Sequence, residues 1–202
     1  MLAAVMGLVA ICAVSPAHAQ PVEFGAKVGP SFGVLTADPE GEDYERRIAA
    51  SGGGFLVLPI TGRIGVQIEA LFSPKGAKLY AEDLGLTSTL LLDYLDFPVL
   101  ARIGAESSAF HVFAGPYVGV RVRAKRQISA SGGGITSGER TDMSAEVERF
   151  DWGMVAGAGM HRGQRLVIDG RYAWGLTDVN KDTSLGIRFR SRVLTILAGV
   201  RF

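Results

Sequence analysis

Residues 64–72 read Ile-Gly-Val-Gln-Ile-Glu-Ala-Leu-Phe, and apolar side chains recur at every second position. Successive side chains of a β-strand point to opposite faces, so the even-numbered residues of this stretch share one face. That face is apolar from end to end, whereas the opposite face carries Gln67 and Glu69. The stretch therefore predicts a strand with one apolar face and one polar face.

The same alternation recurs along most of the chain, between clusters of Gly, Ser, Asp and Asn. It predicts strands near 22–35, 51–60, 64–79, 88–104, 109–127, 146–161, 165–177 and 185–202. Tight turns alternate with longer polar loops, which are predicted at 37–50, 80–87, 128–145 and 178–184. About eight strands with short turns at one end and long loops at the other are typical of an antiparallel up-and-down transmembrane β-barrel.

The alternation alone leaves two all-β barrels open. A soluble barrel turns its apolar face inward around a ligand, whereas a membrane barrel turns it outward towards lipid. Most of the glycines share the charged face, which suits a narrow lumen that a few long side chains fill. Aromatic residues lie near both ends of the apolar face, as in interfacial girdles: Phe24, Phe110 and Phe202 at one end, and Phe150, Trp152, Tyr172 and Trp174 towards the other. These features favour the membrane barrel.

Composition excludes several classes of protein. The 202 residues are 48% hydrophobic, and 21 Lys and Arg nearly balance 20 Asp and Glu. A strongly basic nucleic-acid binder and a chain disordered throughout are both excluded by these values. The single cysteine, Cys12, lies in the N-terminal apolar stretch, so the remainder of the chain has no disulfide and no thiolate site.

The N-terminus is predicted to be a cleavable signal peptide at residues 1–19, which leaves residues 20–202 as the barrel domain. Met1 to Val14 is almost wholly apolar, and Ala17-His18-Ala19 has the small-x-small pattern of a cleavage site before Gln20. An uncleaved membrane anchor is the alternative. Export and the barrel pattern together predict the bacterial outer membrane.

Six stretches carry a resemblance to a known family. They are residues 69–78 (EALFSPKGAK), 92–100 (LDYLDFPVL), 113–119 (FAGPYVG), 151–159 (DWGMVAGAG), 171–179 (RYAWGLTDV) and 193–202 (VLTILAGVRF). In order and spacing they resemble the PorT-type outer-membrane β-barrel family of Gram-negative bacteria. The resemblance implies a barrel without a defined activity and a C-terminal Phe202 that is read by the barrel-assembly machinery.

A set of polar residues is expected to face the lumen near mid-height. Carboxylates beside arginines in a narrow barrel predict a charge-assisted network that plugs the lumen, with an ion path or proton relay as the alternative. The predicted members are Lys27, Glu69, Asp96, Arg102, Tyr117, Asp169 and Arg171.

No catalytic site, cofactor or metal is expected. Beyond the signal peptide the only histidines are His111 and His161, both beside tight turns, where two polar residues at the membrane interface are expected rather than a metal pair without a third ligand. Motifs of serine hydrolases, zinc proteases and P-loops do not occur. The glycine triplets at 52–54 and 132–134 lack the context of a phosphate loop and are expected to be a flexible strand start and a loop tip.

Basic residues are expected at the extracellular rim of the barrel: Arg121, Arg123, Lys125, Arg126, Arg188, Arg190 and Arg192. This basic rim predicts contact with lipopolysaccharide phosphates, the alternative being a solvated extension of the strands. A protein partner at the loops is a further option, and no nucleic-acid partner is expected.

The sequence therefore predicts a non-enzymatic outer-membrane barrel with a plugged polar lumen and a structural or interaction role through its extracellular loops. Two alternatives stay open. One is a narrow channel or ligand conductor, and the other is a soluble periplasmic lipocalin-like barrel that binds an apolar ligand.

Overall fold

The computed structural model describes residues 22–38, 45–81, 86–104, 109–132, 135–145, 147–163, 165–178 and 188–202. The predicted signal peptide and its cleavage site lie outside these residues. The strands are β1 (Glu23–Asp38), β2 (Glu45–Pro59), β3 (Ile64–Ala81), β4 (Leu86–Gly104), β5 (Phe110–Gly132), β6 (Ile135–Asp142), β7 (Phe150–Arg162), β8 (Leu166–Gly175) and β9 (Arg188–Arg201). In this described part, no helix has the length and apolar character to cross a membrane.

Eight antiparallel strands close into a barrel. β1 to β5 pair in sequence, β5 then pairs with β7, and β7, β8 and β9 follow in order. Pairing of β9 with β1 closes the ring, for instance through Ala26 opposite Val200. β6 lies outside the ring and pairs with the outer part of β5, from Lys125 opposite Asp142 to Gly132 opposite Ile135. The predicted all-β, eight-strand barrel is confirmed.

The apolar face of the barrel points outward. Val28 is 63% exposed, Trp152 is 56% exposed and Ile196 is 48% exposed, whereas Glu69 and Asp169 on the opposite parity are 3% and 2% exposed. An outer surface of large apolar side chains around a charged interior is the arrangement of a membrane barrel. It excludes the lipocalin-like alternative, which needs the apolar face inside.

Glycines make room in the lumen, as the sequence suggested. A Cβ atom added to Gly157 would lie 2.6 Å from the ring of Phe113, and one added to Gly159 would lie 2.7 Å from Nε2 of His111. A narrow eight-stranded barrel has space inside only for side chains that fill it. The glycines therefore permit the few large lumen residues to be accommodated.

Several predicted boundaries are wrong at the extracellular end. β2 begins at Glu45, within the segment expected to be a loop, so the glycines at 52–54 lie inside the strand. The predicted loop at 128–145 is largely the hairpin of β5 and β6, and β7 begins at Phe150 rather than near residue 146. Gly133 and Gly134 lie outside the described residues.

β3 folds inward over the lumen near its extracellular end. Gly33 of β1 faces the backbone of Pro74, Lys75 and Gly76 across the lumen, since an added Cβ would lie 3.4–3.5 Å from these residues. Gly76 has a φ of 108°, a conformation that residues with a side chain rarely adopt. This inward turn brings Lys75 to the barrel axis.

Candidate functional site

A four-charge network occupies the periplasmic half of the lumen, and we call it the lower network. Lys27 Nζ lies 2.7 Å from Glu69 Oε1 and 2.8 Å from Asp169 Oδ2. The Arg171 guanidinium donates to both carboxylates, with Nη2 3.1 Å from Glu69 Oε1 and 3.0 Å from Asp169 Oδ1. Gln67 also donates to Glu69. Two cations and two anions thus neutralise each other, and each of their side chains is at most 5% exposed.

Aromatic rings complete the surroundings of the two cations. Lys27 Nζ lies 5.2 Å from the centre of the Phe55 ring, and the Arg171 guanidinium carbon lies 5.0 Å from that of Phe113. The face of an aromatic ring attracts a cation electrostatically, and the attraction is stronger where water is absent. The lower network is therefore held by rings as well as by ion pairs.

A second cluster, the upper network, lies in the extracellular half and is centred on Lys75. Its Nζ is 2.9 Å from Asp96 Oδ1 and 2.7 Å from Asp151 Oδ2, and it lies 4.7 Å and 4.5 Å from the ring centres of Tyr94 and Tyr117. The Tyr117 hydroxyl donates to Asp151 Oδ2 over 2.9 Å. Asp96 and Tyr117, which were predicted to join Lys27 and Glu69, belong to this separate cluster.

Between the two networks lies a cavity of about 20 Å³. Ser51, Ser73, Thr195, Asp96 and Arg171 are among the residues that line it. A polar space of this size has room for one water molecule. Asp96 of the upper network and Arg171 of the lower network thus border the same small space.

Arg102 lies apart from both networks, in a layer at the periplasmic end. Its guanidinium lies 3.6 Å from Glu23 Oε2 and donates to His161 Nε2, with His111 Nδ1 at 3.5 Å. The two imidazole rings stack with centres 4.9 Å apart, and His111 is 5% exposed. Arg102 therefore does not join the mid-height network as predicted, and the two histidines lie beside it at the periplasmic end, where the sequence placed them.

An apolar cap covers the extracellular end of the lumen. Met143 and Val147, which follow β6, pack inward against strand residues that are also buried: Leu35, Ala77, Leu92, Tyr94 and Ala124. Arg121 holds this segment by donating to the carbonyls of Val147 and of Ser144, the latter over 2.9 Å. Arg121 was predicted to belong to the basic extracellular rim, but its guanidinium binds this segment instead.

The sequence analysis did not predict a clamp that Arg47 forms beside the upper network. Arg47 lies 2.8 Å from Asp93 Oδ1 and donates to the carbonyls of Lys75 over 2.5 Å and Leu92 over 3.2 Å. It therefore joins β2, β3 and β4. Arg47 falls in a stretch of mixed charges without alternation, which gave no strand signal. Lys75, by contrast, has the same parity as Glu69, so the alternation of the sequence could have placed it in the lumen.

The remaining basic rim is exposed on β5 and half-buried on β9. The Arg123 side chain is 58% exposed beside Asp93, at 3.4 Å, and both Lys125 and Arg126 are exposed. Arg190 and Arg192 are half-buried, and the side chain of Arg188 lies outside the described part of the structure. Near this rim, hydrogen bonds from Ser144 lower the pKa of the exposed Asp142.

The described residues contain no group of three or more His, Cys, Asp or Glu side chains that could hold a metal ion. His111 and His161 have Arg102 as their shared polar neighbour. A guanidinium there repels a cation, so the pair does not suit a metal. The chemistry of the lumen is that of paired charges.

Residues 18–181 match the outer membrane protein beta-barrel domain family. The chain belongs to this family. Membership of this family places the protein in the bacterial outer membrane. No curated protein matches the chain by sequence.

The fold of this chain is similar to that of solved structures. Ail, the attachment invasion locus protein of Yersinia pestis, is similar in two structures. The one in complex with the heparin analogue sucrose octasulfate has a TM-score of 0.53 at 13% identity, and the other has 0.51 at 14%. Each comparison covers 91% of this chain and 100% of Ail. Neisserial surface protein A aligns with a TM-score of 0.46 at 11% identity, over 91% of this chain and 100% of that chain.

Proposed function

We propose that this outer-membrane barrel is non-enzymatic, has a plugged lumen, and acts through its extracellular end in a structural or interaction role. The observation that carries the proposal is the succession of paired charges and apolar cap along the lumen axis. Arg102, Arg171, Lys75 and Arg121 each bind protein groups at a different depth. The resemblance of its motifs to the PorT-type family does not imply that this chain takes part in secretion.

The paired charges argue for a plug on energetic grounds. A buried charge is tolerated only when partners replace its water, and removal of one partner costs about 3–5 kcal/mol. In a barrel of eight strands the side chains fill the interior. The paired charges therefore favour a role in fixing strand register and closing the lumen, and they argue against an ion path.

Ion conductance in planar lipid bilayers tests the plug. We expect the wild-type barrel to show no steady conductance and Arg171→Ala to leak, since it loses a large side chain and leaves Glu69 and Asp169 with Lys27 as their one shared cation. Arg126→Ala, an exposed change, is the control and should stay closed. Steady wild-type conductance that Arg171→Ala leaves unaltered would instead support the narrow channel.

The extracellular rim supports a second proposal, that Arg123, Lys125 and Arg126 bind lipopolysaccharide phosphates. These three neighbours are exposed on the part of β5 that lies beyond Val120, where the pairing with β7 ends. Guanidinium groups match phosphate oxygens in pairs. Ail, a barrel of the same fold, has been solved with a sulfated polyanion. A protein partner at this end is the other option.

Binding to purified lipopolysaccharide tests the rim. We expect R123Q/K125Q/R126Q to bind more weakly than wild type and to lose most of its salt dependence, because screening acts on exposed charge pairs. R123K/R126K keeps the charge and should retain most of the binding. Equal binding by R123Q/K125Q/R126Q and wild type would contradict this role of the rim.

A further inference from the structure

One buried carboxylate, that of Asp93, lies between the Arg47 clamp and the extracellular rim. Its side chain is 2% exposed and lies 2.8 Å from Arg47 and 3.4 Å from Arg123. Asp93 is on β4, directly opposite Pro74 of the inward turn on one side and Arg123 of the rim on the other. The same carboxylate therefore serves two arginines that have different roles.

Arg47 is the buried member of this pair of arginines, and it is tied to the plug. Its side chain is 11% exposed, and its guanidinium also donates to the carbonyls of Lys75 and Leu92. Lys75 is the centre of the upper network, so these bonds hold the inward turn of β3 in place. Because Asp93 fixes the guanidinium that makes them, a stronger pair of Arg47 with Asp93 closes the lumen more firmly.

Arg123 is the exposed member, and its contact with Asp93 is the looser of the two. The side chain is 58% exposed, and its distance of 3.4 Å from Asp93 is longer than an ordinary N–H···O hydrogen bond. A guanidinium that binds a phosphate turns its paired donors towards the phosphate oxygens. A phosphate bound at Arg123 therefore competes with Asp93 for the same side chain.

We propose that Asp93 couples the rim to the plug, so that lipopolysaccharide bound at Arg123 tightens the clamp of Arg47. This inference rests on the proposed binding of lipopolysaccharide phosphates by the rim. A buried carboxylate needs a cation beside it, so Asp93 depends on Arg47 once a phosphate engages Arg123. Coupling between two sites is reciprocal. A loosened clamp therefore leaves Asp93 to Arg123 and weakens the binding of phosphate.

A double-mutant cycle on the affinity for purified lipopolysaccharide tests this coupling. Asp93→Asn releases Arg123 and should raise the affinity by about two- to fivefold, the factor expected for a partly exposed ion pair. Arg47→Gln should weaken binding in the wild type and have a smaller effect in the Asp93→Asn background, where the shared carboxylate is absent. Equal effects in both backgrounds overturn the coupling. Weaker binding by Asp93→Asn also overturns it, because Asp93 would then position Arg123 for the ligand.

A matched control separates the coupling from a simple loss of positive charge. Arg46→Gln removes the same charge from the neighbouring, exposed position of β2. We expect it to change the affinity by the same factor with Asp93 and with Asn at that position. If Arg46→Gln depends on Asp93 as strongly as Arg47→Gln does, the clamp has no special part and the proposal is wrong.

The variant R123Q/K125Q/R126Q distinguishes a failure of the coupling from a failure of the rim. If this variant binds lipopolysaccharide as tightly as the wild type, the proposed function of the rim is wrong and the coupling is wrong with it. If it binds weakly while Arg47→Gln acts equally in both backgrounds, only the coupling is wrong. Heat-modifiable migration on a gel verifies that each variant is folded.

A second measurement needs no substitution of Arg47. NMR in lipid nanodiscs follows the exchange of the Arg47 Nε–Hε proton with solvent, which a tighter clamp slows. We expect lipopolysaccharide to slow this exchange in the wild type and to leave it unchanged in Asp93→Asn. Dephosphorylated lipopolysaccharide should have no effect. Unchanged exchange in the wild type, or equal slowing in Asp93→Asn or by the dephosphorylated form, overturns the proposal.

Discussion

Glu69 has the densest set of partners of the lower network. It accepts hydrogen bonds from Lys27, from two nitrogens of Arg171 and from Gln67, and its side chain is fully buried. A charge so enclosed contributes through its partners, since without them it would not remain ionised in the interior. The stability of the lumen therefore depends on the balance of charge around this residue.

The contribution of this charge balance to the free energy of unfolding can be measured by denaturant unfolding in lipid vesicles, followed by tryptophan fluorescence. Glu69→Leu leaves two cations to one carboxylate, and we expect a loss of about 3–5 kcal/mol in the free energy of unfolding. The double variant K27M/E69L removes one charge of each sign and should recover most of that loss, because well-packed apolar replacements of ion pairs are often neutral.

Arg126→Leu, an exposed change, controls for the loss of a single charge and should stay near wild type. If K27M/E69L is as unstable as the single variant, packing rather than charge balance governs this site.

Single residues could be predicted where strict alternation holds. It placed Lys27, Glu69, Asp169 and Arg171 in the lumen, where they now form one network. It could not give their grouping, because the depth of a side chain depends on strand stagger, which the sequence does not state. Arg102 is the clearest case, since it shares the parity of the network and lies in a different layer.

Among the strands, β3 loses its regular pairing with β2 between Phe72 and Ala77. Its turn at Pro74–Gly76 moves the chain towards β1 and delivers Lys75 to the two aspartates of the upper network. Gly76 permits this turn in two ways. Its φ is positive, and an added Cβ would collide with the carbonyl of Leu90.

Gly76→Ala should therefore destabilise the barrel by about 1–3 kcal/mol, the usual cost of a strained backbone position. Denaturant unfolding measures the change. Gly170→Ala is the matched control, because an added Cβ there meets no atom within 4 Å and the position has no positive φ. Equal stability of the two variants would show that the inward turn needs no glycine.

Strands beyond the membrane belt were the hardest elements to predict. β6 and the first residues of β2 are rich in polar and charged residues, so no period of two develops in these stretches. A shift in the pairing of β4 with β5 is a second reason why this region was hard to predict. Tyr94 pairs with Arg121 and Asp93 with Arg123, so Val122 is an extra residue and the alternation reverses there.

At the scale of the whole molecule, the last residue closes the ring. The Phe202 amide donates to the carbonyl of Phe24 over 2.8 Å, and the two rings lie 5.8 Å apart. The Phe202 side chain is nevertheless 69% exposed, so its burial adds little to the folded barrel. The PorT-type resemblance implies that this exposed ring is the one read during assembly.

We therefore expect Phe202→Ala to lower the amount of barrel assembled in cells several-fold, while the same variant refolded in detergent unfolds close to wild type. Outer-membrane fractionation with the heat-modifiability gel measures the first, and denaturant unfolding the second. Phe110→Ala removes another exposed ring at the same end and should assemble normally. An equal assembly defect in both variants would indicate that interfacial aromatics in general are needed.

The wall of the barrel differs in height around its circumference. β5 continues for the twelve residues 121–132 beyond Val120, its last pair with β7, and β4 and β6 flank this extension. At a rise of ~3.3 Å per residue the extension reaches roughly 40 Å along the strand. The outermost described backbone is thus a hydrogen-bonded ladder that is already ordered. Binding of a molecule along this ladder therefore costs the protein little conformational entropy. Substitutions of its side chains can change which molecules bind at the cell surface without any change in the membrane-spanning part of the barrel.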